Sequence, residues 1–187
     1  MENTQYRFVI VGSLAIVILG VGAWWYTSRP AMYPFEFVAG EEVTSWDFQG
    51  AYTGQAEFEE KGRTDITRLK ELFGQEGYTD YELYVSLANQ YELLGDGRGA
   101  YDNLLRAIAI DPENTGLAWH NLGKLLERFG AYESARIAYD AMVDAQPILQ
   151  YQNVRVEFLK MRMPENTEAI KQAENQLNGT LGEFILE

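Results

Sequence analysis

One pattern of large and small residues occurs twice in the middle of the chain, 35 residues apart. Tyr84, Leu87, Ala88, Tyr91, Gly95, Ala100, Leu104, Ala107 and Pro112 are matched in register by Trp119, Leu122, Gly123, Leu126, Gly130, Ala135, Tyr139, Met142 and Pro147, so nine positions keep their size class. Within each copy the first four positions recur at helical spacing, a glycine ends the run, and a second helical run leads to a proline. Each copy therefore predicts a helix-turn-helix. Ala88 and Gly123 are small where the helices of a pair must approach closely, and Ala100 and Ala135 are small where the second helix crosses the first. Tyr84, Leu87, Tyr91 and Leu104 fill the space between helices in the first copy, as Trp119, Leu122, Leu126 and Tyr139 do in the second. Asp111-Pro112-Glu113-Asn114 and Gln146-Pro147 stop the second helices, because proline lacks the amide donor a continuing helix needs.

The doubled pattern resembles the tetratricopeptide repeat (TPR), closely over the 68 residues from 80 to 147 and loosely on either side. The resemblance implies an all-α fold, a short TPR-like α-solenoid of antiparallel helix pairs over residues 63–187. Its repeats fall at about 80–113 and 115–148, with degenerate helices at 149–187. TPR proteins commonly bind peptides in a groove lined by the first helix of each pair. The corresponding outward positions are Glu82, Val85, Asn89 and Glu92 in the first copy and Leu117, His120, Lys124 and Glu127 in the second. Members that clamp a C-terminal carboxylate carry a lysine three residues before the small residue of the first repeat and an asparagine one after it. Asn89 and Asn121 match the asparagines of that clamp, but Val85 stands where the lysine belongs, so no carboxylate clamp is expected. Glu82, Glu92 and Glu127 instead imply a basic or neutral polypeptide partner.

Ahead of the repeats, Phe8 to Tyr26 is a run of 19 uncharged residues between Arg7 and Arg29. As a helix it is about 28 Å long, close to the roughly 30 Å hydrocarbon thickness of a bilayer. Trp24, Trp25 and Tyr26 suit an interfacial aromatic anchor, and Pro30 stops the helix. The expectation is a tail at 1–7, one transmembrane helix at 8–27, and a lipid bilayer as partner through it. The competing reading is a signal peptide cleaved near Ala23, since Val21-Gly22-Ala23 offers the small residues that cleavage needs. One arginine on each flank leaves the charge rule nearly silent. The short leading tail nevertheless behaves like a signal anchor, which places the C-terminal domain outside the cytoplasm. Gly12 and Gly20 are separated by Ile16 and form no close-packing seam for anchor-driven dimers.

Residues 28–62 are a connector with the wrong composition for a flexible one: Tyr33, Phe35, Phe37, Trp46, Phe48, Tyr52 and Phe58 are all large aromatics. Phe35 and Phe37 alternate with Glu36 like a short strand, and Gly40, Gly50 and Gly54 mark turns. Two readings stay open. The segment is either a strap folded back over the first repeat helices, or an interface that packs on another subunit or partner through Phe35, Phe37, Trp46 and Phe48. Further on, Ile66, Leu69, Leu72 and Phe73 predict a helix over 64–75, capped by Thr64 or Asp65 and ended by Gly74 and Gly77. After Pro147, Val154, Phe158, Leu159 and Met161 predict another helix, although the alternation Val154, Val156, Phe158 also allows a strand. Pro164-Glu165-Asn166-Thr167 then reads as a break and a new cap before Ile170, Ala173 and Leu177, a polar pair suited to ending a solenoid. The apolar tail from Gly182 either docks on its own chain or engages a neighbour.

The inventory for chemistry is thin. The chain has no cysteine and one histidine, which removes disulfides, thiolate catalysis and cysteine or multi-histidine metal sites. Gly95-Asp96-Gly97-Arg98-Gly99 follows a helical run and lacks both the preceding strand and the Lys-Ser/Thr of a phosphate loop, so it reads as an inter-helix turn. His120 has no sequence-defined acid, base or nucleophile beside it. No catalytic residue, metal or cofactor is expected, and the chain does not read as an enzyme. Asn178-Gly179-Thr180 fits a glycosylation acceptor, relevant only to an exported domain. The net charge of −13 becomes −14 without Glu2, Arg7 and Arg29, a surface that repels nucleic acid and anionic headgroups. These features together predict a membrane-anchored TPR scaffold for protein–protein interaction. The alternative is a self-assembling subunit that forms an oligomer or filament through the connector and the solenoid ends.

Overall fold

A computed structural model of the protein describes residues 31–186, with side chains through Leu181. Met32–Glu187 make one compact unit. The expected tail and transmembrane helix at 1–27 lie outside the described residues, and among the described residues no helix is long and apolar enough to cross a membrane.

The regular elements among the described residues are all helices. An irregular strap up to Gln55 is followed by α1 (Ala56–Glu71), α2 (Asp80–Leu94), α3 (Gly97–Ile110), α4 (Leu117–Arg128), α5 (Tyr132–Ala145), α6 (Leu149–Arg162) and α7 (Thr167–Leu186). Short turns make consecutive helices neighbours, and each packs on the next, most extensively within the pairs α2/α3 and α4/α5. Those two pairs coincide with the two copies of the sequence pattern. Of its helical positions, all but Tyr91 are buried in one continuous core.

Local chemistry fixes the helix ends. Thr79 and Glu82 form a reciprocal capping box at the start of α2, and Asp96 caps α3 by accepting from the Gly99 amide at 2.7 Å. Gly95 and Gly130 end α2 and α4 in the left-handed region, with φ of +85° and +77°, at positions that match in the two copies. Gly123 answers a different demand. A Cβ there would meet the Tyr139 ring at 2.7 Å, so the missing side chain is what lets α4 and α5 close on that ring.

Three local expectations are corrected. The first helix begins at Ala56 rather than 64, because Gly62 does not break it: the Leu94 side chain and the Tyr52 ring lie 3.1–3.2 Å from where its Cβ would be, and packing replaces propensity. No strand forms at Phe35–Phe37, because this stretch lies on helices that offer no ladder; an isolated bridge joins Asp47 to Asp96 instead. Residues 154–158 are inside α6, with Val156, Phe158 and Leu159 buried, which excludes the strand alternative there. Asn166 accepts from the Ala169 amide at the start of α7, and the helix runs on through the predicted tail to Leu186.

Candidate functional site

The connector is consumed inside the molecule. Tyr33 sits edge-on to Trp119 with centroids 5.1 Å apart, and Phe37 stacks on Tyr101 at 6.0 Å. Trp46 lies 4.8 Å from Tyr101 and 5.3 Å from Phe129, and Phe48 contacts Phe129 at 5.8 Å. Backbone bonds fasten the same stretch: Tyr33 N–H donates to the Leu105 carbonyl, Phe48 N–H to that of Gly95, and Gly97 N–H to that of Trp46, at 2.8–3.0 Å. Gly95 and Gly97 have a second reason to be glycine, since a Cβ on either would collide with the strap backbone, at Phe48 and Trp46 respectively.

Glu41 completes the fastening. Helix α5 has no side-chain cap of its own, and the Glu41 carboxylate accepts from the amides of Glu133 and Ser134 at 2.8 Å each. Burial by itself would raise this carboxyl, but the Ser134 hydroxyl and those two amides outweigh it and hold it below the ordinary carboxylate range. The fully buried Ser134 hydroxyl also accepts from the Val38 amide at 3.0 Å. Phe35, Phe37, Trp46 and Phe48 are therefore partly buried ring contacts to the helices.

The eight groove positions divide in the structure. Val85 is buried and is not available to a ligand. Glu82 is exposed but spends its carboxylate on the Thr79 cap. Asn89 accepts from the Asn121 amide at 3.3 Å, joining α2 to α4. Glu92 pairs with Arg128 at 3.2 Å across the same seam, and Glu127 pairs with Arg162 of α6 at 2.8 Å while accepting from the Tyr139 hydroxyl at 3.0 Å. His120 lies between the rings of Tyr139 and Tyr151, and burial, with Lys124 nearby, holds its pKa below the ordinary 6.5 against the opposing pull of Glu92. Lys124 and Leu117 are exposed.

Two of these positions meet the connector. A cleft of about 410 Å³ is lined by Phe48, Gln49, Gly50 and Ala51 of the strap, Asn89, Glu92 and Leu93 of α2, and Arg128 of α4. The Arg128 guanidinium lies 4.6 Å from the Phe48 ring centroid while it pairs with Glu92, so cation and ring form one wall. The cleft sets the apolar surface of Phe48, Ala51 and Leu93 beside the Asn89 amide, the Glu92 carboxylate and the Arg128 guanidinium. Among the described residues no group of three or more His, Asp or Glu side chains is placed to hold a metal ion.

Sequence reasoning missed Arg128, Arg162 and Glu41. The two arginines lie within the helices already read, and only the spacing from Glu92 to Arg128 and from Glu127 to Arg162, each about one repeat, hinted that they pair across neighbouring units. Nothing in the sequence linked Glu41 to a helix start some 90 residues away. Comparison of the chain with protein-family models and with curated proteins found no match.

Proposed function

We propose that the chain is a membrane-anchored TPR-like scaffold that holds a polypeptide segment along the α2/α4 face, with the Phe48–Asn89–Glu92–Arg128 cleft as the anchor point. The cleft carries the reading: it is where the exposed ends of the inter-helix polar pairs meet apolar strap surface. The pairing of Glu92 and Glu127 with arginines alters the partner first expected. Their charge is neutralised within the face, so a segment of mixed polar and apolar character fits better there than a strongly basic one. The repeat assignment rests on the 35-residue register and on the burial of its positions in matched helix pairs. The anchor rests on the uncharged run Phe8–Tyr26 and its aromatic flank.

The self-assembly reading loses most of its connector surface, since Phe35, Phe37, Trp46 and Phe48 already pack on α3, on Trp119 of α4 and on Phe129 just beyond it.

A photo-crosslinking residue placed at Lys124 in full-length protein in its native membranes tests the proposal against the same residue at Lys171, an exposed position on α7. A polypeptide adduct from position 124, absent from 171 and diminished by Arg128→Ala, is expected. Identical adducts from both positions would remove the face from consideration.

A further inference from the structure

We propose that a second hollow, walled by Tyr33 and Trp119, docks a lysine or arginine side chain of a partner polypeptide. It has a volume of about 320 Å³ and is lined by Tyr33 at the start of the strap, the Pro112-Glu113 turn, Trp119, and Ala141, Asp144 and Ala145 on the last turns of α5. It shares no residue with the cleft at Phe48, and it goes beyond the groove reading.

Its walls are rigid. Trp119 is only 4% exposed and its indole N–H donates to the Pro112 carbonyl at 2.9 Å, which ties the ring to the turn that carries Glu113. Tyr33 meets the indole edge-on at 5.1 Å, and its own amide is fixed on the Leu105 carbonyl at 3.0 Å. Pro112, Ala141 and Ala145 add small apolar surface.

Charge identifies the occupant. Glu113 and Asp144 are exposed, and among the described residues neither has an ion-pair or hydrogen-bond partner; no lysine, arginine or histidine lines the hollow. The contrast with the groove is direct, since Glu92 and Glu127 there are each matched by an arginine. A long side chain with an apolar stem and a cationic head uses every part of this lining. The stem lies on proline, alanine and the edge of the aromatic pair, and the head meets two uncompensated carboxylates. An anionic group would be repelled, and a neutral apolar side chain would strip water from the carboxylates with nothing in return.

The test is an NMR titration of the full-length chain in detergent micelles, following the Trp119 indole N–H, assigned by its loss in Trp119→Phe. The probe is a capped alanine–arginine–alanine tripeptide, with the isosteric citrulline tripeptide as its uncharged counterpart. We expect a saturable shift with the arginine probe that weakens at least tenfold in Glu113→Gln/Asp144→Asn, is unchanged in Glu92→Gln/Glu127→Gln, and is absent with citrulline. Circular dichroism melts should show the Glu113/Asp144 variant as stable as the wild type. An indole shift equal for both probes, one that survives the Glu113/Asp144 change, or none up to millimolar probe would overturn the proposal.

Discussion

The strap-facing side of the helices and the α2/α4/α6 face are opposite in chemistry. On the strap side, rings meet rings: Phe37 and Trp46 on Tyr101, Trp46 and Phe48 on Phe129, Tyr33 on Trp119. On the other face, helices are joined by polar bridges, Asn89 to Asn121, Glu92 to Arg128 and Glu127 to Arg162, whose outer parts remain in solvent. The first side is a completed interface that stabilises the fold. The second joins neighbouring helices through polar pairs and is not covered by the strap's rings. An aromatic-rich segment beside a repeat domain can thus mark a surface already covered, while a plain polar face marks the one still open.

Truncating the strap should break this contrast most severely. Trp46→Ala removes contacts to Tyr101, Phe129 and the Arg98 guanidinium at once, and is expected to cost about 3 kcal/mol, lowering the melting temperature by about 6–12 °C. Lys124→Ala on the open face should change stability by less than about 0.5 kcal/mol. Thermal melts of the two variants side by side read the difference.

Next in size is the seam within a pair. Gly123→Ala puts a methyl group against the Tyr139 ring and should destabilise by about 1–3 kcal/mol in a denaturant titration, with the slope of the transition unchanged.

Glu41→Gln should cost about 1 kcal/mol, the usual worth of a helix cap. Because the folded protein holds this carboxyl below its ordinary 4.5, its contribution is full above about pH 4.5 and is lost as pH falls toward the folded-state value. Acid unfolding followed by circular dichroism should be flatter below that pH in the variant than in the wild type.

His120 gives the smallest effect. Its pKa is depressed in the fold by burial first and by Lys124 second, so the unfolded chain takes up the proton earlier on acidification. Stability is therefore full above about pH 6.5 and declines as pH drops below it. Replacement by Gln should remove that decline in denaturant midpoints measured from pH 7 downward.

The repeat register was readable because burial in a helix pair imposes size at fixed spacing, and Ala88, Gly123, Ala135 and Tyr139 all sit where that spacing places them. Gly95 and Gly97 carried more than turn chemistry. They also seat the strap, and this could not be read because the segment that presses on them lies some 50 residues earlier. Of the eight positions read as a groove, Val85 is buried, so helical spacing alone misjudged how widely the neighbouring helices cover α2. The electrostatics of those positions were not legible, since the partners of Glu92 and Glu127 are set by how neighbouring helices stack rather than by local sequence.

Absence of cysteine from the chain makes one measurement decisive for the division into a covered and an open face. Single cysteines at Phe37 and at Lys124 can be labelled with a thiol reagent under native conditions, and each rate compared with that of the denatured protein. Labelling at position 37 should be slowed by about a hundredfold or more, because it must wait for the strap to open, and labelling at 124 should run close to the denatured rate. Equal rates at the two positions would contradict the division.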